Sequence, residues 1–336
     1  MEINRLFCNH MILQAEKTVR IFGTGKGTVS VEINKVVSKT TSTADSWFLE
    51  LPPQKYGGPY TLRVNLDGQI KEFSDVWFGD VYLMAGQSNM RYNIEVSPLE
   101  EQFYEENENM RIFGANEADA AGFYFSQGWC CLTKSNAGKW SAIAYYMGLT
   151  LNKKSDKKMG FILCGQGASV IQAYLPKGFF DNTDCYIPDE DRSGDFKNPL
   201  YSAWNGDGFL YKEKFSKIIP YNVKYVVWYQ GEGNASGKDP YVYDKLLTSF
   251  IEKWRYDLMD DQLPFIIIQI ANFKKWPRPE CWKMIQEMQQ KVCETVKNTY
   301  LVKSADVCED DDIHPPTKKL LSERIANLVE SLSDNL

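Results

Sequence analysis

The hydrophobic period of this chain changes once, near residue 78, and that change limits the fold more than any other feature. Before it, short runs alternate apolar and polar residues: Thr18-Val19-Arg20-Ile21-Phe22, Thr28-Val29-Ser30-Val31-Glu32-Ile33, Trp47-Phe48-Leu49-Glu50-Leu51 and Tyr60-Thr61-Leu62-Arg63-Val64. A period of two marks strands with one buried face. Polar or glycine-bearing turns separate them, and Leu66-Asp67-Gly68-Gln69 carries the Asp-Gly pair that tight hairpins favour. No helical stripe occurs before residue 78. Residues 1–77 are therefore expected to form a small antiparallel β-sandwich, Ig-like or jelly-roll-like.

From 78 to 336, apolar runs alternate with helix-like stretches, which predicts an α/β class: a three-layer αβα domain around a parallel sheet. The strands are expected at Val81–Ala85, Met159–Cys164, Lys224–Gln230, Pro264–Ala271 and Tyr300–Ser304, each apolar on both sides as in a sheet covered on both faces. The helices are expected at Ser141–Leu151, Val242–Leu258, Trp282–Lys297 and Pro316–Leu332. In the third, Trp282, Ile285, Met288, Gln289 and Val292 share one face. Residues 92–138 show no clear period, and their acidic start (Glu95, Glu100, Glu101, Glu105, Glu106) reads as a solvated surface.

Composition excludes several classes. A hydrophobic content of 43% fills a core and rules out disorder. A net charge of −6 without a basic run argues against nucleic acid as a partner. No segment approaches the ~18 consecutive apolar residues of a membrane span. The eight cysteines are scattered without a C-x-x-C pair, and the two histidines, His10 and His314, lie far apart, so neither a metal site nor a cofactor is expected. The start Met1-Glu2-Ile3-Asn4-Arg5-Leu6 has no leader-like pattern. With the scattered thiols this points to the cytoplasm, or to secretion if a leader precedes the sequence given. Nothing speaks to oligomeric state.

Four segments carry candidate chemistry. Gly86-Gln87-Ser88-Asn89-Met90 follows an apolar strand and sets Ser88 at a turn, where the ligand site of an open parallel sheet lies. Ser88 is either a nucleophile or the cap of the next helix. A serine nucleophile needs a base, and with two histidines the choice falls on His314 in Asp311-Asp312-Ile313-His314-Pro315. Asp311, three residues before it, can fold back towards Nδ1, and Asp312 is the alternative acid. The strand end Gln230-Gly231-Glu232-Gly233-Asn234 offers the Gln230 amide as an uncharged donor to an oxyanion, with Glu232 as a hydrogen-bond acceptor between loops. The glycines of Gly165-Gln166-Gly167-Ala168-Ser169 suit an anion nest, and no Gly-Lys-Ser/Thr follows to make a phosphate loop.

These residues, taken together, resemble the sialate O-acetylesterase family of the SGNH (GDSL-like) hydrolase superfamily. Leu6-Phe7-Cys8-Asn9-His10-Met11-Ile12-Leu13-Gln14 is similar to the family's "LFSDHMVLQ", and Gly57-Gly58-Pro59-Tyr60-Thr61-Leu62 to "GGPYTL". The Ser88 block resembles "GQSNM", Trp228–Ala235 resembles "WYQGESNA", and Asp312-Ile313-His314-Pro315 matches "DIHP". The resemblance implies a flavodoxin-like SGNH domain and a serine esterase that removes acetyl groups from sugar hydroxyls. Ser88 would be the nucleophile and His314 the base. The Ser88 and Gly167 N–H groups and the Gln230 side chain would form the oxyanion hole, with Asn234 in Gln230's place as in related members. It leaves the acid open between Asp311, Asp312 and a backbone carbonyl.

The substrate implied is sialic acid 9-O-acetyl ester, with acetylated xylan as the alternative and a non-catalytic glycan-binding protein as the reading from another class. Arg91 is a candidate bidentate partner for a sialate carboxylate, and Glu232 a second substrate contact. Tyr92, Trp204 and Trp276 are candidates to stack on sugar faces. The family's "WGG" has become Gln166-Gly167-Ala168, and Arg91-Tyr92-Asn93 departs from the usual continuation of the serine block.

Overall fold

The computed structural model describes residues 1–96, 104–115, 125, 128–193 and 199–333. Apart from Ile12–Gln14, which pairs parallel with Gln69–Gly86, the N-terminal strands pair antiparallel in two groups. In one, Val19–Thr24 lies between Glu2–Ile3 and Ser46–Leu51. In the other, Gly27–Ile33 lies between Val36–Ser42 and Gly57–Leu66. Val29, Val31 and Ile33 from one sheet and Trp47, Leu49 and Leu51 from the other are buried in the same apolar cluster. The strand Val36–Ser42 was not anticipated. It never buries a face, so it carries no alternation to read.

The larger sheet is built from β1 (Gln69–Gly86), β2 (Asn107–Gly114), β3 (Cys130–Leu132), β4 (Met159–Gly165), β5 (Tyr225–Tyr229), β6 (Phe265–Ile268) and β7 (Thr299–Val302). Their spatial order is β3-β2-β4-β1-β5-β6-β7. All neighbours are parallel except β3, which is antiparallel to β2. Asp67 and Gly68, both at positive φ, turn the chain from Gly57–Leu66 into β1.

β1 is 18 residues long and belongs to both parts. Its first half is mostly exposed and pairs with Gly57–Leu66; its second half is the buried centre of the parallel sheet. The change of period near 78 is thus a change of environment along one strand. β2 and β3 fall in the stretch without a clear period, because β2 opens on the polar run Asn107-Glu108-Asn109 and β3 has three residues. In the acidic start of that stretch, Glu105 and Glu106 are exposed and Glu95 pairs with Lys139 at 2.6 Å. Glu100 and Glu101 lie outside the described residues.

The helices that position the site are α1 (Ser88–Arg91), α2 (Ala142–Asn152), α3 (Tyr243–Asp257), α4 (Pro279–Thr295) and α5 (Lys319–Ser333). Successive residues of the central strands point to opposite faces. Leu83, Val226 and Trp228 pack with α3 and α4, whereas Tyr82, Met84, Tyr225 and Val227 pack with α2 and α5. This gives three layers. The chain leaves β1 towards β2 on one side and leaves β5 towards β6 on the other, so the carboxyl ends of β1 and β5 form a topological switch point, where ligands of open α/β sheets bind.

Candidate active site

The turn after β1 places Ser88 at that switch point. Gly86 has φ +136°, and its carbonyl accepts hydrogen bonds from the Tyr174 hydroxyl (2.7 Å) and the Gln166 N–H (2.9 Å). Gln87 follows, donating its N–H to Tyr229 O, while its side-chain oxygen accepts from the Gly233 N–H at 3.0 Å. Ser88 is the first residue of α1, and the N-cap position is held by Gln87. The Ser88 Oγ lies 2.7 Å from His314 Nε2, although the two are 226 residues apart in sequence. Ser88 is no helix cap.

His314 approaches from the loop before α5. Burial pushes its pKa below the ordinary imidazole value, the Lys318 ammonium pushes it further down, and Asp312 opposes them. For Nε2 to accept from the Ser88 hydroxyl, the ring proton must sit on Nδ1. His10 belongs to the N-terminal part, where its Nδ1 lies 2.6 Å from Asp75 Oδ2.

Gly167, two residues past β4, lies beside the serine: a Cβ placed on it would lie 3.8 Å from Ser88 Cβ. Among the described residues, neither the Ser88 nor the Gly167 N–H has a protein acceptor. Two backbone donors that no described residue engages thus belong to neighbouring residues at the serine turn. Ala168 stands where the family pattern has glycine, and it adopts a left-handed φ of +51°.

The side-chain donors expected for the oxyanion are engaged elsewhere. Gln230 is fully buried, and its Nε2 donates to Ser169 O (3.0 Å) and Asn234 Oδ1 (2.7 Å). Asn234 is also buried, and its Nδ2 donates to Gln172 Oε1 (2.9 Å) and Asp239 Oδ2 (2.6 Å). An amide has two N–H donors, so neither group has one to spare. Both residues tie the loops after β4 and β5 together.

The acid also departs from expectation. Asp311 is exposed, and its backbone oxygen accepts from Lys275 Nζ. Asp312 accepts the backbone N–H of His314 at 2.8 Å, a local turn that leaves the carboxylate off the ring. Among the described residues no carboxylate bonds the His314 imidazole. Asp311→Asn and Asp312→Asn are therefore each expected to keep kcat within about 10-fold of the parent, because removing a true triad acid costs about 10⁴-fold. Steady-state kinetics on an acetyl ester checks this, and a 10⁴-fold loss in either variant would restore that residue to the ring.

Glu232 is 2% exposed and so is closed to substrate; its Oε1 accepts from Asn89 Nδ2 at 2.6 Å. Arg91 is half-buried with its stem against Gly165. Tyr92 flanks the histidine, ring centroids 6.4 Å apart, whereas Trp276 donates to Ala235 O and packs on Phe273 and Trp282. Trp204 packs beside Tyr201. Sequence reading missed Asn89, which sits inside the serine block, and Lys318, four residues past the histidine. Neither follows a periodic pattern, and their burial is visible only in three dimensions.

The family described as "carbohydrate esterase, sialic acid-specific acetylesterase" matches residues 78–329, the whole parallel-sheet region. The chain belongs to this family of carbohydrate esterases. It is thus a carboxylic ester hydrolase of acetylated carbohydrate. The human sialate O-acetylesterase is 24% identical over 365 residues, covering 94% of this chain and 68% of the relative. The mouse protein of the same name is 23% identical over 395 residues, covering 94% and 70%. A carbohydrate acetylesterase from Xanthomonas citri superposes with a TM-score of 0.83 at 25% identity, covering all of this chain and 76% of its own. For this carbohydrate esterase, the likeness to the Xanthomonas fold extends through the N-terminal strands that the family match leaves out.

Proposed function

We propose that this chain removes O-acetyl groups from sialic acid, with Ser88 as nucleophile and His314 as general base and acid. The observation that carries the reading is the 2.7 Å contact between Ser88 Oγ and His314 Nε2 beside two unpaired backbone N–H groups. Ser88 Oγ attacks the acetyl carbonyl carbon while its proton passes to His314 Nε2. The carbonyl oxygen becomes an oxyanion held by the Ser88 and Gly167 N–H groups. The intermediate collapses: the C–O bond to the sugar breaks, the leaving oxygen takes the proton from His314, and acetyl-Ser88 remains. Water then attacks the acetyl carbon, giving a proton to His314; the bond to Ser88 Oγ breaks, His314 returns that proton to Ser88, and acetic acid leaves, ionising to acetate. In this scheme no carboxylate among the described residues orients the imidazole, so the pair works as a dyad.

The sugar is assigned from the family description and from the names of the curated relatives. Initial rates on 9-O-acetyl sialic acid and on acetylated xylo-oligosaccharides, followed by an acyl-length series of chromogenic esters, test it. Higher kcat/KM on the sialate, with acetyl preferred, is the expected result. A preference for the xylo-oligosaccharides would move the assignment to hemicellulose, and a preference for chains beyond butyrate would reject an acetylesterase. Absence of turnover on every ester would favour a glycan-binding protein.

A further inference from the structure

Behind the Ser88–His314 pair lies a buried polar chain that the hydrolytic scheme does not use. Lys318 is 1% exposed, and its Nζ donates to Asn89 Oδ1 at 2.7 Å. Asn89 in turn donates from Nδ2 to Glu232 Oε1 (2.6 Å) and to the backbone oxygen of Ile313 (2.9 Å). Those contacts define the amide orientation, with oxygen towards the ammonium and nitrogen towards the carboxylate. Asn89 adjoins the nucleophile and Ile313 adjoins the base, so the Asn89–Ile313 bond joins the two halves of the reacting pair. An amide set between an ammonium and a carboxyl group is bonded at both ends, and its charge-assisted bond to Lys318 resists reorientation better than a neutral one. A buried lysine is costly to desolvate, and a site that keeps one needs a partner for it.

We propose that Lys318 is a positioning residue of the hydrolysis, acting through Asn89 to hold the serine turn and the histidine loop in register where no carboxylate among the described residues bonds the imidazole. This rests on Ser88 and His314 being the reacting pair. Lys318 is faced by Asn89 from α1 and by Glu232 from the loop after β5. From the loop before α5 it is faced by Cys308, Glu309, Asp312 and His314. The rings of Tyr92 and Tyr229 lie 5.2 and 5.4 Å from its nitrogen. Burial brings the Lys318 pKa down to about 8, against the pull of the Glu232, Glu309 and Asp312 carboxylates. The Cys308 thiol is itself pushed up to about 11 by burial, so it stays neutral through that range. The Lys318 charge acts on His314 directly, favouring the unprotonated imidazole that a base must be.

Two substitutions separate the hydrogen bond from the charge. Lys318→Gln keeps a donor towards Asn89 without the cation, and Lys318→Met removes both. The chain has two histidines, and His10→Asn leaves one imidazole signal, so proton NMR follows His314 alone. In the parent, the His314 ring resonances are expected to show their own titration below pH 6.5 and a second, smaller inflection near pH 8 from Lys318. In both variants the His314 pKa is expected to rise and the second inflection to vanish. The pH-independent kcat on an acetyl ester is expected to fall about 10- to 100-fold in Lys318→Met and to stay near the parent in Lys318→Gln.

An unchanged His314 titration in both variants, or a parent-like kcat in Lys318→Met, would overturn the proposal. The inflection near pH 8 is read on the parent side chains, so it needs no variant at Lys318 to fold; its absence would also count against the proposal. The NMR measurements use no substrate and stand apart from the assignment of the sugar.

Discussion

Ser88→Ala is expected to lower kcat/KM on an acetyl ester by about 10⁵- to 10⁶-fold, with the unfolding midpoint unchanged. The hydroxyl is a weak nucleophile alone, and its reactivity depends on transferring the proton to His314 Nε2 at 2.7 Å. His314→Ala should therefore cost nearly as much, and the double variant should be no worse than either single one. That non-additivity is the sharper test. Two groups that act as one unit can be lost only once, whereas independent contributions would multiply. Residual activity above water in all three variants is expected, because the Ser88 and Gly167 backbone donors remain. A double variant that loses the product of the single effects would mean that serine and histidine work separately. An active Ser88→Ala would remove the nucleophile assignment.

The elements that sequence made legible are those in which local pattern and burial coincide. The expected helix at Trp282–Lys297 appears as Pro279–Thr295, because Trp282, Ile285, Gln289 and Val292 all turn to one apolar face. The strand at Lys224–Gln230 appears as Tyr225–Tyr229, buried at every residue. The Asp67-Gly68 turn and the meeting of Ser88 with His314 were legible for different reasons, one conformational and one chemical. What escaped is chemistry whose direction depends on neighbours. Gln230 and Asn234 have the right groups for an oxyanion, yet Ser169, Gln172 and Asp239 take up their donors. Asp312 has the right charge, yet the nearest donor is the His314 backbone. Asn89 and Lys318 were invisible because a single buried contact has no period.

Gly86→Ala is expected to destabilise the fold by about 2–5 kcal/mol, the second large effect, and to impair whatever protein remains folded. Two independent strains add. The φ of +136° is one that a residue with a Cβ rarely adopts, and that Cβ would sit 2.1 Å from the carbonyl oxygen of Tyr229. The oxygen cannot withdraw, since it accepts the Gln87 N–H and belongs to β5, which is paired on both sides. Relief must come from the turn itself, and the turn carries Ser88. A shift of about 1 Å between nucleophile and base costs on the order of 10²-fold in rate, so kcat should fall in the folded fraction as well. Gly167→Ala is the control. Its Cβ would meet Ser88 Cβ at an ordinary 3.8 Å, so its stability should match the parent and any effect should appear in activity alone. Urea unfolding of both variants, with kinetics at a denaturant concentration where each is folded, separates strain from chemistry. If Gly86→Ala unfolds like the parent and turns over like the parent, the close approach of β1 and β5 does not set the position of the serine.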